Sequence, residues 1–94
     1  MTPELLASAA HAYQELRQHK GTAQFIINAD PYLLTAEKYD KAATVIVDSQ
    51  AHITAGDLDA LKAAFEAPAA ARWHVNRIPW LDNSIQASLT WILP

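Results

Sequence analysis

His11, Glu15 and His19 recur every four residues, a spacing that stacks two imidazoles and a carboxylate along one side of a helix. Those groups are metal ligands, so part of a metal site would be in place. A solvated helix face looks the same, with Glu15 between two polarisable neighbours. Nothing close in sequence completes a four-ligand set, and His52 or His74 would have to approach in space. The expectation is no metal and no cofactor.

Asp57 with Asp59, and Asp30 with Asp48, are the carboxylate pairs that acid–base work would need. Such a pair works only in a cleft that drives the two pKa values apart. Asp57 is better read as a helix cap and Asp30 as a turn residue before Pro31. Ser8, Ser49, Ser84 and Ser88 lack a Gly-x-Ser-x-Gly setting. Gly21 and Gly56, the only glycines, cannot build a phosphate-cradling loop. The absence of cysteine excludes disulfides, thiolate chemistry and zinc knuckles. No residue is assigned a catalytic role.

Composition narrows the partners. Charged residues are 18% of the chain, against about a quarter in an average protein, which leaves a more neutral surface and favours association. With 51% apolar residues the chain is not a disordered one. Its net charge of −3 offers no basic field to nucleic acid or anionic lipid. The cations Arg17, Lys20, Lys38, Lys41, Lys62, Arg72 and Arg77 are scattered along the sequence. Arg72, His74 and Arg77 lie near one another but would neutralise few phosphates. No apolar run nears the roughly eighteen residues that cross a bilayer, and the start lacks the pattern of a signal peptide. These features predict one soluble, cytoplasmic domain over 1–94, without nucleic-acid or membrane partners.

The elements that must position any site follow from spacing. Thr2-Pro3-Glu4 is a helix start, with a capping hydroxyl, a proline for the first turn and a carboxylate on the dipole. Leu5, Leu6, Ala9, Ala12, Tyr13 and Leu16 then share one face, which predicts a helix over 3–20 stopped by Gly21. Residues 22–29 read as a strand with Ala23, Phe25 and Ile27 inward, and Asp30-Pro31 turns the chain. The stretch 32–42 is open between a short helix from Thr35 and a strand over 32–36. Residues 43–48 are β-branched and strand-like. Thr54 with Asp57 is a near capping box for a helix over 55–66, which Pro68 closes. Residues 71–77 predict a strand with Trp73 and Val75 inward. Over 85–93, Ile85, Ala87, Leu89, Trp91 and Leu93 face one way, Gln86, Ser88 and Thr90 face the other, and Ile92 alone departs from the alternation. The fold class is α+β in the order α-β-β-α-β-β, two helices on one face of a mostly antiparallel sheet ending in a C-terminal hairpin. That order is loosely similar to small phage assembly proteins that close into rings, although no motif carries the likeness.

The hairpin supplies the candidate surfaces. Any register that keeps the pleat puts Arg72, His74 and Asn76 on one face with Gln86, Ser88 and Thr90. That polar face could hold an anion at Arg72 and His74, or be the wet side of a sheet. The loop from Ile78 to Ser84 opens with four apolar residues, Ile78, Pro79, Trp80 and Leu81. Exposed, it is an adhesive tip flanked by Arg77 and Asp82; folded back, it extends the core. The last strand carries no lysine, arginine or internal proline, so an edge position and pairing with a second copy or another protein are expected. The reading is a non-enzymatic protein-interaction module: an inhibitor, adaptor or assembly component of bacterial or phage type. The alternative is a small dimeric α+β barrel, enzyme or ligand binder, with His74, Asn76 or Tyr32 over an apolar chamber.

Overall fold

The hydroxyl of Thr2 accepts a hydrogen bond from the Leu5 N–H at 3.2 Å and starts helix α1, Pro3–Gln18. The chain is described from a computed structural model covering residues 1–50 and 52–94. α1 ends earlier than the periodicity predicts, because His19 turns to extended backbone while its N–H still bonds the Glu15 carbonyl at 3.1 Å. Gly21, at φ +79, then reverses the path, a conformation costly to other residues.

Five strands follow: β1 (Ala23–Ala29), β2 (Tyr32–Tyr39), β3 (Ala42–Ser49), β4 (His74–Ile78) and β5 (Ser84–Ile92). They pair antiparallel throughout in the order β1-β2-β3-β5-β4. The stretch left open in sequence is therefore a strand to Tyr39, closed by a tight turn in which Asp40 adopts φ 55. Helix α2, Ala55–Ala64, joins β3 to β4. Its capping box is complete: Thr54 accepts from the Asp57 N–H at 3.0 Å, and Asp57 accepts from the Thr54 N–H at 3.2 Å. The helix ends at Phe65, before Pro68. Among the described residues no helix is long and apolar enough to cross a membrane.

Both helices cover one sheet face. Ala9, Tyr13 and Leu16 of α1 and Leu58 and Leu61 of α2 meet Leu34, Val45, Val47, Ala87 and Leu89 in a single core. The inward set predicted for β5 holds, and Val45 opposite Leu89 and Ala43 opposite Trp91 carry it across to β3.

Three expectations fail, each for a geometric reason. β5 is not an edge strand. Residues 85–92 pair with β3 and residues 84–88 with β4, so β1 and β4 are the edges. β4 begins at His74 rather than at 71, because the preceding residues serve the return from α2. Lys62 Nζ donates to the carbonyls of Ala69 and Ala71 at 3.0 and 2.7 Å, and Trp73 Nε1 donates to the Leu58 carbonyl at 3.0 Å. Val75, expected inside, is 54% exposed, since the outermost strand runs past the cover of the helices.

Leu89→Asp should prevent folding, because it leaves an unpaired charge in the core. Thr90→Asp, one residue on and outward, should cost no more than about 1 kcal/mol in thermal melts. Equal stability of the two variants would reverse the strand's facing.

Asp57 supports a pH prediction. Its carboxylate also accepts from the amino group of Met1 at 2.9 Å, and this bond first, then those to Thr54, hold its pKa below the ordinary carboxylate range against the opposing effect of burial. The stabilisation is thus present in full above the ordinary carboxylate pKa and is lost as pH falls toward the lowered folded value. Asp57→Asn should be less stable near neutrality by on the order of 1 kcal/mol, with the gap to wild type closing in acid. A gap that stays constant through the acid range would remove the carboxylate from the account.

Candidate functional site

The hairpin tip is built by backbone that few residues accept. After β4, Pro79–Leu81 form one 3-10 turn, and Asp82 (φ 54) and Asn83 (φ 59) follow in left-handed conformation. Aspartate and asparagine tolerate that region better than other residues with side chains. The Ser84 hydroxyl donates to the Leu81 carbonyl and fastens the turn to the start of β5. Trp80 stands out from it, 80% exposed, with Leu81 beside it at 55%. The loop does not fold back over the core.

Of the predicted contact residues, Ile78 is half-buried at the end of β4, whereas Pro79 and Asp82 are exposed. Arg77 is exposed opposite Ile85. Sequence reasoning missed the exposure of Val75, two residues before Arg77 and on the same face of the edge strand β4. Its alternation indicated the correct face, and only the sheet order reveals that no helix covers it.

The polar face is partly assembled as expected. His74 pairs with Ser88 and Asn76 with Gln86. The ladder continues into β3, where Gln86 Nε2 donates to Asp48 Oδ1 at 3.0 Å and the hydroxyls of Thr90 and Thr44 lie 3.0 Å apart. Arg72 is not a member. It precedes β4, and its guanidinium turns back to the Ala69 carbonyl at 3.1 Å, so it forms no anion pair with His74. The face is also less polar than the hairpin alone suggests. His74, Ser88, Ile46, Thr35 and Ile26 form one row across all five strands, and Ile26, Leu33, Tyr39 and Ile92 are exposed.

The chemical candidates separate in space. His11 Nε2 and Glu15 Oε1 are 3.8 Å apart on exposed α1, but His19 has left the helix and its Nδ1 lies 3.0 Å from the Lys20 carbonyl. Among the described residues no three His, Asp or Glu side chains converge as a metal set. Asp57 is committed to its cap, and Asp59 is exposed. Asp30 and Asp48 do line one open cleft of about 410 Å3, together with Asp82 and Leu81, between the β1–β2 turn and the hairpin tip. The space between sheet and helices, where a barrel would hold its chamber, is filled by Leu34, Val45, Leu89 and Phe65 with no exposure. His74 and Asn76 lie on the opposite face of the sheet; Tyr32 packs against the core.

What the arrangement offers chemically is an exposed, partly apolar projection beside a cleft lined by Asp30, Asp48 and Asp82. Comparison with known families, with curated proteins and with solved structures finds no match to this chain.

Proposed function

We propose that the protein is a non-enzymatic interaction module, an inhibitor, adaptor or assembly component of bacterial or phage type, that works in the cytoplasm by covering a partner protein's surface. The carrying observation is Trp80, 80% exposed on a tip that is held by its own turn. An indole in water contributes nothing to the monomer, whereas its burial against a partner is worth a few kcal/mol, roughly the yield of an interface anchor. Pro79 stiffens the approach and lowers the entropy lost on binding. Leu81 and half-buried Ile78 extend the apolar contact. Arg77 and Asp82 supply a polar rim that sets orientation and encounter rate more than strength.

Trp80→Ala tests the reading against its opposite. Thermal stability should stay within about 1 kcal/mol of wild type, as for most surface changes, while capture of a specific partner from lysate is lost. A sharp fall in melting temperature, with capture per folded molecule unchanged, would return Trp80 to the core and remove the tip from the interface.

A further inference from the structure

At the end of the sheet opposite the hairpin tip, the end of α1 and the β2–β3 turn enclose a cleft of about 630 Å3. We propose that this cleft binds a small phosphate-bearing anion. Arg17, Lys20, Lys38 and Lys41 all line it, four of the seven Lys and Arg residues in an acidic chain. Its volume falls in the range of roughly 300–1,000 Å3 typical of small-molecule sites.

Lys38 is the central group. The residue is only 7% exposed, turned toward the helix-covered side of β2, and its Nζ donates to the Gly21 carbonyl at 2.7 Å. An ammonium has three donors, so two remain after that bond. Among the described residues no carboxylate stands within ion-pair distance of Nζ. The Gly21 carbonyl and the C-terminal end of α1 favour a cation there but bring no full negative charge. A buried charge without a counter-ion is costly, and an anion entering the cleft would supply one.

The other groups define the ligand class. Lys20 and Lys41 are exposed on either side, and Arg17 is shared with Glu66 at 3.9 Å. Asp40 lies at the same end and opposes the four cations in part. The Leu93 N–H donates to the Lys41 carbonyl, which fixes the last residues as one wall. Lysines act as point charges and do not grip a planar carboxylate as an arginine fork does. A tetrahedral phosphate, with oxygens facing several directions, suits the separate point charges of Lys20, Lys38 and Lys41.

The test is a titration of the full chain with pyrophosphate at constant ionic strength, followed by 15N amide shifts. Saturable shifts should centre on residues 17–21, 38–41 and 93–94. Lys20→Gln/Lys41→Gln alters two exposed positions, so the fold should persist, and binding should weaken about tenfold. Lys38→Met should abolish it, with the double variant deciding if Lys38→Met does not fold. Shifts that never saturate, that spread over the whole surface, or that are unchanged in the folded double variant would overturn the proposal. Phosphatidic-acid vesicles form a parallel arm: binding to them with none to pyrophosphate would also overturn the small-molecule assignment.

Discussion

Phe65 is where the fold closes. It ends α2, is wholly buried, and meets the ring of Tyr13 edge-on at 6.4 Å and the ring of Trp91 at 6.2 Å. The first helix, the second helix and the last strand therefore share one contact cluster, each aromatic pair adding about 0.5–1.5 kcal/mol beyond its buried area. The cost sits in the same place. Among the described residues Trp91 Nε1 is buried without a hydrogen-bond partner, a loss of about 1–3 kcal/mol that the packing of its ring must exceed. With the aromatic cluster holding both helices to one face, the other face of the sheet and the two ends of the strands are left for solvent or partners.

That constraint also decides what could be read in the sequence. β5 was legible because its inner residues all lie under the helices, so the alternation has one cause over its whole length. The helix starts were legible for a local reason: Thr2 and Thr54 make their capping bonds within three residues. The stretch over 32–42 was not, since Lys38 points inward beside Leu34 and Ala36 while Leu33 and Tyr39 point out. Apolar and polar residues then stand on both faces, and the period of two is hidden. The edge position of β4 was beyond reach because it depends on β5 inserting between β3 and β4, a long-range choice that no local pattern records.

The candidate sites divide in the same way. The tip could be located, since four apolar residues before Asp82-Asn83-Ser84 mark a loop of unusual composition. Whether Trp80 faced water or core could not be decided, because that depends on the short 3-10 turn and two left-handed residues acting together. The basic cleft was invisible. Positions 17, 20, 38 and 41 look scattered, and only the meeting of the α1 terminus with the β2–β3 turn gathers them.

A net charge of −3 therefore conceals a polarised molecule. Asp30, Asp48 and Asp82 line the cleft by the hairpin tip, while Arg17, Lys20, Lys38 and Lys41 line the cleft at the far end of the strands. The eight residues of β3 separate the two ends by about 25 Å at roughly 3.3 Å per residue, several Debye lengths of about 8 Å, so each end presents its own field. A protein that buries Trp80 would meet those acids at the rim of the contact. The surface best suited to the tip is thus an apolar socket with basic residues around it. A second copy docking tip to tip would set acid against acid. If the protein pairs with itself, charge favours the other geometry, in which the acidic tip of one copy meets the basic end of the next. Such a contact would be heterologous, and would close into a ring or extend as a filament.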